Sequence, residues 1–113
     1  MKAIVWTKYG PPDVLQFKEV EKPTTKKDEV LIRIYATTAY AGDCELRSLK
    51  FPPLMSLSMR IYVGLKKPTR IKILGQELAG EIESVGKDVT RYRKGDQVFA
   101  HTGFGMGAYA EYI

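Results

Sequence analysis

Glycine placement constrains this chain more than any other feature. In Leu74-Gly75-Gln76-Glu77-Leu78-Ala79-Gly80-Glu81-Ile82-Glu83-Ser84-Val85-Gly86, and again in Gly95-Asp96-Gln97-Val98, glycines recur among short apolar residues. Glycine takes backbone angles that a Cβ forbids, so the spacing marks strands that bend sharply and then turn. Many short strands joined by Gly/Pro turns pack as a barrel or sandwich rather than as a helical bundle.

The rest of the chain fits that reading. Ala3–Thr7 and Val14–Val20 have strand patterns joined across Tyr9-Gly10-Pro11-Pro12-Asp13. From Glu29 to Ala36, alternation places Val30, Ile32, Ile34 and Ala36 on one face, with Arg33 and Tyr35 on the other. Gly42-Asp43 opens a helical turn capped by Asp43, with Leu46 and Leu49 inside and Pro52-Pro53 as its stop. Leu54, Leu57, Ile61 and Leu65 follow at helical spacing in a segment apolar on most sides, which predicts a helix that is buried or faces a partner. Ile71–Leu74, Leu78–Val85, Gln97–Ala100 and Ala108–Ile113 are further short strands.

Length and composition bound the function. A chain of 113 residues, 44% hydrophobic, makes one domain with one core. No apolar run reaches the roughly 20 residues that cross a bilayer, and no membrane partner is expected. The first residues enter a strand pattern without a signal-peptide core. The lone Cys44 excludes an internal disulfide and fits a reducing, cytoplasmic setting. Net charge is +5, and between Leu46 and Leu74 seven basic residues stand with no acidic one. Such a segment is a solvated basic loop or an attractor of phosphate groups, nucleic acid or an anionic membrane. No reader motif interleaves it with aromatics, so no nucleic-acid partner is expected.

Met1-Lys2-Ala3-Ile4, Gly10-Pro11-Pro12-Asp13-Val14-Leu15, Val30-Leu31-Ile32-Arg33, the glycine block and Ala108-Tyr109-Ala110-Glu111-Tyr112, in this order, resemble the medium-chain dehydrogenase/reductase superfamily in its GroES-like catalytic domain. The closest likeness is to the zinc-independent quinone oxidoreductase and enoyl reductase branch. The resemblance implies a mostly β (α+β) fold, a partly open GroES-like barrel with two or three short helices. It also implies reduction of quinones or activated C=C bonds with NADPH, bound mainly by a Rossmann domain that these residues lack. The final strand has no turn after it, so the chain reads as cut at Ile113. A strand cut there would offer an edge to a second copy, hence a possible homodimer.

Zinc members of that superfamily place a cysteine three residues before the aspartate that matches Asp43, and a histidine between a glycine and a glutamate. This chain has Tyr40 and Gln76 there, and it lacks the four-cysteine lobe of structural zinc. No metal is expected, because catalytic zinc needs three converging protein ligands. Cys44, inside a helical turn, reads as a small buried hydrophobe. Tyr40 stands where relatives put a ligand or polar cofactor contact, and is a candidate catalytic residue or a filler of that space. His101 is the only histidine, the residue type most used for proton transfer at neutral pH, and is a candidate proton donor or a solvated loop residue. Asp43 and Arg47, at i and i+4, suit a helix cap and local ion pair, and the resemblance sets them near the nicotinamide end of the cofactor. Gln76, Phe104 and Met106 complete the expected cleft for a small-molecule substrate.

Gly103-Phe104-Gly105-Met106-Gly107-Ala108 formally matches a dinucleotide fingerprint. That fingerprint needs a following helix, and the alternating Tyr109–Ile113 reads as a strand, so the loop is not a phosphate cradle. Two other classes share the barrel: a chaperonin-10-like co-chaperone and a non-catalytic binding module. The co-chaperone needs an early mobile glycine-rich loop, where this chain has its helical 43–65 segment.

Overall fold

A computed structural model describes residues 1–113. β1 (Lys2–Trp6) turns through a single 3-10 turn at Pro12–Val14 into antiparallel β2 (Leu15–Glu19). β3 (Val30–Thr37) is followed by α1 (Ala41–Ser48), α2 (Pro53–Val63), β4 (Glu77–Val85) and β5 (Gln97–His101). β4 lies between β3 and β5 in a three-stranded antiparallel sheet. The fold is therefore mostly sheet with two short helices, as expected. No helix is long and apolar enough to cross a membrane.

The chain end joins the two sheets. On one side of residues 109–113, Ile4 N–H donates to Tyr109 O (2.9 Å) and Glu111 N–H to Lys2 O (3.1 Å). On the other, Ile34 N–H donates to Glu111 O (2.8 Å), and Ile32 and Ile113 exchange both bonds (2.8 and 3.0 Å). The sheets stay open rather than closing into a barrel, linked by bridges at Ala3–Ala110, Val5–Ile73 and Arg33–Tyr112. The expected strand at 71–74 reduces to one of these bridges. The expectation of a bare edge at 109–113 is also corrected, because that segment is paired on both sides. The unpaired edges belong to β2 and β5.

The core gathers Trp6, Val14, Leu46, Val63, Ile71, Leu74 and Met106. Trp6 packs edge-on to Tyr9 at 5.3 Å between ring centroids, and the Tyr9 hydroxyl donates to Gly64 O at 2.7 Å. This contact fastens the first turn to the end of α2. The Pro52–Pro53 pair, read as a stop for α1, instead starts α2, where a missing N–H in the first turn costs nothing. α1 closes at Leu49 in the left-handed region (φ 57°).

Two burial expectations are corrected. Leu54, Leu57, Ile61 and Leu65 are all exposed, which removes the buried alternative for this stripe and leaves the partner-facing one, because Val63 is the residue that α2 buries. Cys44 is exposed as well, since the buried residues of α1 are Asp43 and Leu46.

Gly80, in the central strand, shows what the glycine pattern is for. A Cβ there would lie 2.1 Å from the carbonyl oxygen of Arg33 in β3. The strands approach too closely for any side chain. We expect Gly80→Ala to destabilise the chain by about 1–3 kcal/mol, the usual cost of overpacking. Gly105→Ala, with open space around it, should be near neutral. Urea unfolding of both variants checks this, and equal stabilities would refute it.

Candidate functional site

Tyr40 precedes the first turn of α1 and Gln76 immediately precedes β4, 36 residues later. The fold brings them together: the Tyr40 hydroxyl donates to Gln76 Oε1. Gln76 Nε2 in turn donates to Gly103 O at 3.0 Å, in the glycine-rich loop after β5. One amide thus ties α1 to that loop. Both positions that resemblance matched to metal ligands now form a neutral, hydrogen-bonded pair. Nowhere do three His, Cys, Asp or Glu side chains come close enough to hold a metal ion.

The pair borders a cavity of about 160 Å³ between α1, α2 and the loop. Leu46, Phe51, Met59 and Tyr62 wall it on the helical side, and Phe104 and Met106 on the loop side. Tyr62 and Phe104 meet edge to face at 6.4 Å. Glu45 is the only charged residue in the lining. Its volume is below the roughly 300–1,000 Å³ of most small-molecule sites, but a mostly apolar lining with a few placed polar groups is the composition of one.

Asp43 lies behind this wall and is 3% exposed. Its Oδ2 accepts from the Tyr109 hydroxyl at 2.7 Å and from the Tyr40 backbone N–H at 3.4 Å. The helix-capping role expected of Asp43 holds, at the third position of α1 rather than before it. The expected ion pair with Arg47 does not form. The Arg47 guanidinium instead donates through Nε to Gly10 O (3.1 Å), while its carbonyl accepts from Gly10 N–H (3.0 Å), clamping the first turn. Asp43 is claimed by Tyr109, and Arg47 turns away from it.

Of the expected cleft residues, Tyr40, Gln76, Phe104 and Met106 share the cavity. Asp43 supports it from behind, and Arg47 stands apart. His101 ends β5 and lines a separate hollow with Thr38, Glu77 and Phe99, its Nδ1 accepting from Gly103 N–H at 3.0 Å. Phe51, Met59 and Tyr62 were not read from the sequence as site residues. Their signal was a second apolar stripe at 59, 62 and 63, which periodicity cannot rank above the stripe at 54, 57 and 61.

Electrostatics sets the protonation of the phenols. Partial desolvation, with the carboxylates of Asp43 and Glu77 nearby, raises the Tyr40 hydroxyl above the ordinary tyrosine range. Burial, and then the bond to Asp43, pushes Tyr109 up further. Both phenols therefore stay protonated at neutral pH, and Tyr40 is a donor rather than a base.

Residues 26–113 match the alcohol dehydrogenase GroES-like domain family. The mitochondrial NAD(P)H oxidoreductase of Dictyostelium discoideum is 34% identical over 116 residues, covering 100% of this chain and 30% of that protein. The quinone oxidoreductase structure from Coxiella burnetii superposes with a TM-score of 0.78 at 30% identity, over 100% of this chain and 33% of that one. The Escherichia coli quinone oxidoreductase complexed with NADPH gives 0.75 at 28% identity, over 100% and 30%. The chain thus spans about a third of the length of these relatives. All three are oxidoreductases, which favours that class over the co-chaperone.

Removing the Tyr109 hydroxyl leaves a buried carboxylate short of a partner. Tyr109→Phe should cost about 1–3 kcal/mol, measured by urea unfolding at neutral pH. Stability should also fall above about pH 10, where the unfolded phenol ionises while the folded one keeps its proton. Part of that alkaline loss should vanish in Tyr109→Phe; an unchanged alkaline slope would count against the assignment.

Proposed function

The chain belongs to the alcohol dehydrogenase GroES-like domain family, and from that premise we propose that it is the substrate-binding, catalytic part of a zinc-independent, NADPH-dependent oxidoreductase acting on quinones or activated alkenes. The observation that carries this is the Tyr40–Gln76 pair at the edge of an apolar cavity. A phenol and an amide bonded to each other are poor zinc ligands but a good polar grip on a substrate carbonyl.

The cofactor's phosphates do not fit the Gly103–Gly105 loop. The loop at Gly103–Gly105 makes a single 3-10 turn and then runs extended, so no helix N-terminus faces a pyrophosphate. In this reading a nucleotide-binding domain of Rossmann type, outside these 113 residues, binds NADPH. That cofactor supplies a hydride, and the present residues supply the pocket and the proton. The apolar wall suits a flat, neutral substrate. A substrate carbonyl takes the place of Gln76 Oε1 as acceptor of the Tyr40 proton. As negative charge develops on that oxygen, Tyr40 gives up its proton, and the partly exposed hydroxyl regains one from solvent. Gln76, held by Gly103, fixes the position to which Tyr40 returns.

The 113-residue chain alone should not oxidise NADPH with quinone or enone substrates. A chimera in which it replaces the matching segment of one of the quinone oxidoreductases it resembles should do so. There, Tyr40→Phe should lower kcat about 100-fold with little change in KM, the scale of a lost general acid. The rate should also be flat through neutral pH and fall only above the ordinary phenol range near pH 10. A folded, NADPH-binding chimera without turnover would refute the reading.

Of the two free sheet edges, we take that of β5, where Phe99 is 90% exposed, as the one that pairs two copies. Light scattering should show a dimer that Phe99→Lys converts to monomer; a dimer indifferent to that change rules this edge out.

A further inference from the structure

α2 has two apolar sides, and the cavity uses one. Met59, Tyr62 and Val63 face the cavity. At roughly 100° per residue, Leu54, Leu57 and Ile61 fall within roughly 60° of one another on the far side of the helix. They are 79%, 53% and 66% exposed, and Leu65, just past the helix, is exposed too. Lys66, Lys67, Arg70 and Lys72 follow at once, all exposed. The chain's two ion pairs are Met1–Glu19 and Lys22–Glu83, so all four cations are unpaired. No acidic residue lies between Leu46 and Leu74 to offset them.

We propose that this face docks on an anionic lipid bilayer. Leu54, Leu57 and Ile61 would enter the boundary between headgroups and acyl chains, and the four cations would meet lipid phosphates. The cations stand in the segment after α2 rather than on a polar face of the helix itself, but the two forces are those of an interfacial helix: burial of an apolar ridge and attraction of nearby cations to anionic lipid. Each cation held near an anionic surface adds to the attraction. Binding of this kind needs no spanning segment, so the lack of one does not oppose it. The charge pattern also argues against the other occupants. A second copy docked through the same face would set two unpaired cationic clusters against each other. A domain closing over the cavity would meet the opposite side of α2. Nucleic acid would match the cations but leave the leucine ridge in water.

The test is co-sedimentation of the 113-residue chain with vesicles, which requires neither cofactor nor substrate and is thus independent of the proposed enzymatic role. The chain should bind phosphatidylglycerol-rich vesicles and not pure phosphatidylcholine. Binding should weaken about tenfold or more in a Leu57→Ser/Ile61→Ser double variant and, separately, in Lys66→Gln/Lys67→Gln. Raising salt to about 0.5 M should weaken it as well. All four positions are exposed, so circular dichroism and Tm should stay unchanged. No binding to anionic vesicles, equal binding to neutral ones, or binding that survives either double variant overturns the proposal. So does a dimer by light scattering that Leu57→Ser/Ile61→Ser converts to monomer, since the ridge would then be its interface.

Discussion

The strip of backbone from Tyr109 to Ile113, bonded to β1 on one side and β3 on the other, is what the rest of the structure depends on. Backbone donors and acceptors taken out of water must find partners. Without this strip, β3 would face an empty edge, β1 would keep only its pairing with residues 72 and 73, and the two sheets would lose the backbone shared between them. Its placement also fixes side chains. Pairing Tyr109 N–H with Leu74 O (3.0 Å) sets the Tyr109 ring over Gly75, where a Cβ would lie 2.6 Å from it. Gly75 sits at φ +99°, a conformation glycine adopts without strain. From there the Tyr109 hydroxyl reaches Asp43.

Closure of the sheets therefore reaches the cavity through a short chain of contacts. Asp43 receives Tyr109 on one carboxylate oxygen and steadies the Tyr40 backbone from the same atom. Tyr40 then meets Gln76, and Gln76 meets the loop. The links at Asp43 and Gly103 are partly buried, where an unmet bond is costly and a met one orients, while the Tyr40–Gln76 bond itself lies at the exposed rim. Partial desolvation, and after it the charges of Asp43 and Glu77, favour the protonated form of Tyr40. The carboxylate that steadies the Tyr40 backbone thus also adds to that preference.

The strands were legible because their signals are local. Alternation at 30–36, proline at 11, 12 and 23, and the glycine block each dictate backbone geometry without distant help. The Tyr40–Gln76 pair was half legible: both residues stood out against the zinc-binding pattern, but nothing in the sequence says that side chains 36 positions apart bond to each other. Arg47 misled because i, i+4 spacing permits an ion pair without requiring one, and Gly10 and Tyr109 offered better partners. The inner face of α2 was illegible for a plainer reason. A helix apolar on nearly every side has more than one stripe at 3.6 spacing, and only the tertiary contacts choose between them.

That choice leaves a surplus. Tyr9 fastens the end of α2 through Gly64, Arg60 stacks over the Tyr9 ring at 4.8 Å, and Val63 seals the core. These contacts, with Met59 and Tyr62 on the cavity, suffice to hold the helix where the site needs it. Leu54, Leu57 and Ile61 contribute nothing to that positioning, and large exposed aliphatics gathered on one ridge work against solubility. Ser58, at the border of the same ridge, bonds back to Leu54 O at 3.1 Å rather than reaching outward, so its polarity is spent on the helix itself. A fold that needed only a pocket wall here would be better served by a polar outer face. The ridge therefore calls for a function of its own, and the cations that border it give that function a sign.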